Sequence, residues 1–201
     1  MDKIKTVKQL EKFIQIIDTW STLQETSIKL LSSISNIRLQ QNAATILSSS
    51  KSLSTIPILA EFPDMLPRLL SKQTSKLESM YSDLKTRIMP EFASVVKTMK
   101  TNARDVVSKT PLVAQEPLVE TAVGLLRPLE VASWIDTLCI MYEREYRMKE
   151  TLIVMLLSGD SELNGVDHIL KRWKSEVHVD SVLVSTCRER LALAQQTLRM
   201  R

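Results

Sequence analysis

A chain of 201 residues that is 44% hydrophobic and 25% charged has the balance of a folded protein of one large or two small domains, not of a disordered one. Its three glycines (Gly124, Gly159 and Gly165) exclude the glycine-rich phosphate loops of Rossmann and P-loop folds, and are too few for the turns of a many-stranded sheet. The net charge of +4 lies entirely in residues 171–201, where seven bases face three acids, so that segment carries the only electrostatic asymmetry able to draw an acidic partner or a nucleic acid.

From Val7 to about Leu47 the apolar positions step by three and four (Leu10, Phe13, Ile17, Trp20, then Ile28, Leu31, Ile34), which predicts one long helix with a buried stripe. Residues 1–56 hold no proline or glycine, and the serine run Ser48–Ser54 is expected to end the helix by competing for its backbone hydrogen bonds. Residues Ile56–Pro63 are too apolar for a solvated loop. Pro57 suits the first position of a short helical turn, and the segment is expected to dock against the long helices. After Pro63 the row Leu66, Leu70, Gln73, Leu77, Met80, Leu84, Ile88, Phe92, Val95, Met99, Ala103, Val106 keeps helical spacing. A helix of about 45 residues would be about 68 Å long, which predicts an elongated hairpin or coiled coil. Pro90 lies inside that row without shifting its phase, so a kink is expected there and not an end.

Pro111, Pro117, Gly124 and Pro128 make a breaker zone, with one short helix possible at Leu118–Leu126. Pro128 then opens a long helix with the row Val131, Ile135, Leu138, Tyr142, Tyr146, Lys149, Ile153, Leu156, ending before Gly159. A short turn at Val166–Trp173 leads to a last amphipathic helix with the row Leu183, Cys187, Leu191, Ala194, Leu198. These elements predict an all-α fold, an elongated antiparallel helical bundle with coiled-coil character. It has about four main helices plus short connecting ones in a single domain of residues 1–201. Residues 1–109 are expected to form a long-helix hairpin, 110–127 a hinge, and 128–201 helices that pack on the hairpin.

The chemistry of the chain is sparse. A hydrolytic triad or a zinc site would need His168 or His178, and neither stands at the spacing of a known nucleophile motif or zinc finger. Cys139 and Cys187 fall on apolar helix faces and read as small buried hydrophobes. No catalytic, cofactor-binding or metal-binding residue is expected. The longest charge-free apolar stretch, Thr151–Gly159, is far short of the roughly 20 residues of a membrane helix. With no signal-type apolar core after Lys3, Lys5 and Lys8 and no Cys-x-x-Cys pair, an intracellular, reducing compartment is expected.

Three binding candidates remain. Trp134, Tyr142 and Tyr146 at helical spacing read as core packing, or as anchors of a binding surface completed by Arg147 and Lys149. Glu143, Arg144, Glu145, Arg147, Lys149 and Glu150 look like a solvated face with intrahelical pairs. Phe62, Pro63, Asp64 and Met65 form a second candidate surface, against the alternative that Phe62 only staples a helix start. Lys171, Arg172 and Lys174 around Trp173, with Arg188 and Arg190, form a weak nucleic-acid signature. The favoured reading there is a charged helix edge with Trp173 packed inward.

The segments Leu30–Asn36 (LLSSISN), Ile56–Asp64 (IPILAEFPD) with Leu69–Gln73 (LLSKQ), and Trp134 followed by Tyr142 and Tyr146 occur in an order and at separations that resemble the AIRIM family of ribosome-maturation factors. The resemblance covers roughly Val7 to Leu191 and departs from the family in Pro90 and in the arginine-bearing tail after Leu191. It implies a non-catalytic adaptor subunit, nuclear and cytoplasmic, of a chromatin-associated assembly built on two-ring AAA ATPases related to valosin-containing protein. A second small coiled-coil subunit, CINP, is an implied partner. The implied roles are release of a shuttling assembly factor from cytoplasmic precursors of the large ribosomal subunit and turnover of replication-fork proteins, with contact to pre-ribosomal particles or chromatin and none to membrane. The alternative is a basic helical protein that binds nucleic acid or ribosomal RNA directly through its C-terminal segment.

Overall fold

The computed structural model describes residues 3–49, 57–110, 126–158 and 163–199. Among the described residues the fold is all-α, with no strand. Helices α1 (Lys3–Ser49), α2 (Pro57–Glu61) and α3 (Met65–Asp83) are followed by a π turn (Leu84–Ile88), then α4 (Met89–Lys109), α5 (Pro128–Leu157), α6 (Leu163–Ser175) and α7 (Ser181–Arg199). The breaker zone lies outside the described residues except at its margins, where Leu126 is not helical.

Local chemistry sets the ends of these helices. The Ser48 and Ser49 hydroxyls donate back to the carbonyls of Thr45 and Ile46 within α1, and the rest of the serine run expected to end the helix lies outside the described residues. Asp180 caps α7, its Oδ1 accepting from the N–H groups of Val182 (2.9 Å) and Leu183 (3.2 Å). Pro57 opens α2; of the segment expected to dock, Ile56 lies outside the described residues, and Ile58 and Phe62 are about half exposed. Five residues make little more than one turn, and Leu59 is only half-buried. The predicted turn at Val166–Trp173 is corrected, to the thirteen-residue helix α6. Burial of Val166, Ile169 and Trp173 at helical spacing outweighs the roughly 1 kcal/mol that Gly165 costs a helix.

Before Pro90 the chain widens instead of stopping. Leu84 donates to both Met80 and Tyr81, and Met89 donates to Leu84 five residues back. Pro90 has no N–H and its ring crowds the carbonyl of Thr86, so a turn with longer hydrogen-bond spacing keeps the helix running past it. The row stays buried through Leu84, Ile88 and Phe92.

The chain forms two compact units. The first comprises Met1–Leu23, Glu91–Lys149 and Glu176–Arg201. Its core is built by the rows Leu10, Phe13, Ile17, Trp20 of α1, Phe92, Met99, Val106 of α4, Val131, Ile135, Leu138, Tyr142 of α5 and Cys187, Leu191, Ala194 of α7. The second comprises Gln24–Pro90 and Glu150–Ser175. Leu31, Ile34, Leu84, Ile88, Leu156 and Trp173 lead its core. There α1 and α6 are joined by polar bonds: Gln24 Nε2 donates to the Trp173 carbonyl (2.7 Å), Trp173 Nε1 to Ser27 Oγ (2.8 Å), and Ser35 Oγ to Asp167 Oδ1 (2.6 Å). Helices α1 and α3 run antiparallel in this unit, tied by Arg38 to Tyr81, Gln73 to Gln40 and Gln41 to Thr74.

Candidate interaction surfaces

Helix α5 divides the first candidate set between interior and surface. Tyr142 lies inside the first unit, edge-on to Trp20 with ring centroids 5.1 Å apart, while Trp20 meets Phe92 edge-on at 4.6 Å. Burial pushes the Tyr142 hydroxyl well above its ordinary range, and the charge of Glu176 adds to the rise. Lys149 is also wholly buried, its Nζ 3.3 Å from Glu145 Oε1, with 0% of either side chain exposed. The ammonium sits 5.7 Å from the Phe92 ring and 5.8 Å from the Trp20 ring, within cation–π range of both.

The candidate surface is therefore corrected at Tyr142 and Lys149, and the solvated face at Glu145 and Lys149. Two oppositely charged side chains one helical turn apart can leave water together, because each supplies the other's countercharge. Trp134 and Tyr146 are half-buried and Arg147 is exposed, so these three remain at the surface. Arg147 pairs with Glu143, which also meets Lys100 of α4 at 2.9 Å. These bonds, led by that to Lys100, hold the Glu143 carboxyl below its usual range.

Glu176 completes the interior cluster. It follows the last residue of α6 with φ of 40°, the left-handed position that usually belongs to glycine. Its Oε1 accepts the Trp20 indole N–H at 2.7 Å, and Glu145 Oε2 accepts the His178 backbone N–H at 3.3 Å. Burial raises the Glu176 carboxyl above its ordinary value, the Trp20 bond and the Lys149 charge opposing, and burial lowers Lys149. A strained backbone of this kind costs on the order of 1–3 kcal/mol, which the indole bond offsets. Sequence reasoning missed the interior roles of Glu145 and Glu176. The signal for the first is present in the sequence, since Lys149 lies on the apolar row with an acid four residues before it.

The second candidate surface is exposed throughout. Phe62 is 54% exposed, and Pro63, Asp64 and Met65 stand open beside it. Asp64 meets Arg68 across one turn at 3.5 Å. The third set loses its central ring. Lys171, Arg172 and Lys174 are exposed, but Trp173 is fully buried and donates to Ser27, so no indole stands between them for a base to stack on. Arg188 pairs with Asp18, and Arg190 with Glu130 at 3.4 Å. Cys139 and Cys187 are buried thiols raised by burial, Cys187 to about 11, which keeps them protonated. Among the described residues no group of His, Cys, Asp and Glu gathers to hold a metal, and no helix is long and apolar enough to cross a membrane.

A family model described as CA109-like, ribosome biogenesis protein C1orf109-like, matches residues 5–186. The chain belongs to this family. The match takes in the AIRIM-type segments Leu30–Asn36, Ile56–Asp64 and Leu69–Gln73 and the aromatic positions of α5, and gives the chain a role in ribosome biogenesis. No curated protein matches it. The matched span stops at Thr186 within α7, one residue before the buried Cys187.

Proposed function

We propose that this member of the ribosome biogenesis family is a non-catalytic adaptor of a AAA ATPase assembly. It would hold a two-ring ATPase and a CINP-like subunit together during maturation of large ribosomal subunit precursors, in nucleus and cytoplasm, and during turnover of chromatin and replication-fork proteins. The observation that carries the proposal is the family match over residues 5–186. The side chains support it. Glu145 and Lys149 are buried in the interior, while aromatic and aliphatic anchors such as Phe62, Met65 and Trp134 stand at the surface, as docking requires. The direct nucleic-acid reading is the weaker one, because Trp173 is buried and both Arg188 and Arg190 already face acids.

The test is affinity purification of the tagged chain from cells, followed by ATPase assays of the eluate and of the repurified chain. The expected result is co-purification of two-ring ATPase subunits, with hydrolysis in the eluate and none in the isolated chain. Hydrolysis that follows the isolated chain through repurification, or an eluate without an ATPase, overturns the adaptor reading.

A further inference from the structure

The antiparallel pair α1/α3 carries a face that the described residues of its unit leave exposed. Leu77 is the one buried residue of α3. On the outside of the pair, Met65 (42% exposed) and Leu69 (44% exposed) continue the exposed Ile58 and Phe62, and Leu39 and Ile46 of α1 are exposed as well. The hydrogen bond from Gln73 to Gln40 marks one side of this pair. Leu69 precedes Gln73 by four residues and Ala43 follows Gln40 by three, so both lie beside that rung on the same side, and Met65 stands one turn beyond Leu69. Arg38 and Tyr81 meet elsewhere along the two helices.

The same stripe of α3 turns from apolar to basic. Lys72 and Lys76 follow Leu69 by three and seven residues, both exposed, and neither makes an ion pair among the described residues. The residue four before Lys72 is Arg68 and the one four before Lys76 is Lys72, so no acid on that turn neutralises either. Glu78 stands half a helical turn away from Leu69, and Asp64 meets Arg68. An apolar stripe that runs into two exposed cations is a composite surface, and its complement is an apolar stripe that runs into carboxylates.

We propose that this face is a docking site for an amphipathic helix of a partner protein, whose apolar positions cover Phe62, Met65 and Leu69 and whose Asp or Glu residues reach Lys72 and Lys76. The span from Met65 to Lys76 is about 16 Å, which fits a partner helix of about three turns. The proposal rests on the adaptor reading only in taking the occupant to be another protein.

The test places the photo-cross-linking residue p-benzoylphenylalanine at Leu69, at Met65 as a second position and at the exposed Val182 as a control, in the full chain in cells. The cross-linked peptide is then read by mass spectrometry. The expected adduct at Leu69 or Met65 is a peptide of a different protein with apolar residues at helical spacing followed by Asp or Glu. Lys72→Glu with Lys76→Glu lowers the adduct yield about tenfold, whereas Lys97→Glu leaves it unchanged. An adduct to a second copy of this chain, to RNA or to a peptide with a basic flank overturns the proposal. So does a yield no higher than at Val182, or one indifferent to the two charge reversals. The same purification separates this outcome from the adaptor reading. An acid-flanked adduct without an ATPase in the eluate keeps the docking site and removes the ATPase adaptor, and an ATPase without the adduct does the reverse.

Discussion

Helix α5 from Tyr142 to Lys149 and helix α3 from Met65 to Lys76 are built alike in sequence, with apolar residues three and four apart and lysine at the same spacing, yet their lysines end in opposite environments. Lys149 is wholly buried beside Trp20 and Phe92, and Lys72 and Lys76 stand in water. Two things differ: Lys149 lies on the buried row of α5, whereas Lys72 and Lys76 lie off the row Leu66, Leu70, Gln73, Leu77 of α3, and the residue one turn earlier is not the same. Glu145 precedes Lys149 by four and enters the interior with it, whereas Arg68 precedes Lys72 and Lys72 precedes Lys76. A cation leaves water only in company with an anion, so Glu145 permits the burial of Lys149, but the spacing does not impose burial, since Asp64–Arg68, Asp83–Arg87 and Asp105–Lys109 have it and stay exposed.

The largest effect that tests this comparison is a double-mutant cycle in the first unit. Lys149→Met leaves the Glu145 carboxylate buried without its cation, and is expected to cost about 3–5 kcal/mol in urea or guanidinium unfolding. Adding Glu145→Leu restores most of that loss, because an apolar pair fills the site without an uncompensated charge. Lys76→Met, on the open stripe, is expected to change stability by no more than about 0.5 kcal/mol. Equal losses at the two lysines would break the distinction between sealed and open stripe.

A smaller effect sharpens it through pH. Burial raises the Glu176 carboxyl, so the folded protein binds that proton more tightly than the unfolded chain, whose value lies near 4.5. Its contribution to stability is therefore fully present below 4.5 and is lost as pH rises through the raised folded value, with a slope of at most about 1.4 kcal/mol per pH unit. Lys149 acts at the other end: its lowered folded value makes stability rise with pH from that value up to the ordinary 10.5. Glu176→Gln retains an acceptor for the Trp20 indole and should flatten the acid-side decline in unfolding measured between about pH 4 and pH 8. A slope unchanged by this substitution would show that Glu176 does not titrate in the interior.

The helices are legible because their buried rows have one period. Leu84, Ile88 and Phe92 keep phase across Pro90, and Pro57 and Pro128 open α2 and α5. What periodicity does not encode is which partner a face meets. Tyr142 and Tyr146 occupy the same row, yet the first is buried edge-on to Trp20, while the second is only half-buried. Glu176 is invisible for a different reason, since its role depends on Trp20, which is distant in sequence, and on a left-handed backbone that a glutamate rarely adopts. Trp173 packs inward as its place on an amphipathic edge predicts, and that burial alone removes the stacking ring from the basic candidate.

The smallest expected effect falls on the open stripe, and its smallness is informative. Phe62→Ser and Leu69→Ser remove large apolar side chains that the chain itself leaves about half exposed, so thermal unfolding of the isolated protein should move by no more than about 0.5 kcal/mol in either direction. Residues that support the fold lose stability when truncated, and residues kept for a partner lose only binding. Unchanged unfolding together with a lost Met65 cross-link in the Phe62→Ser or Leu69→Ser protein would therefore assign these side chains to recognition. A loss of about 2 kcal/mol or more would instead place them in a core that α3 completes by another route.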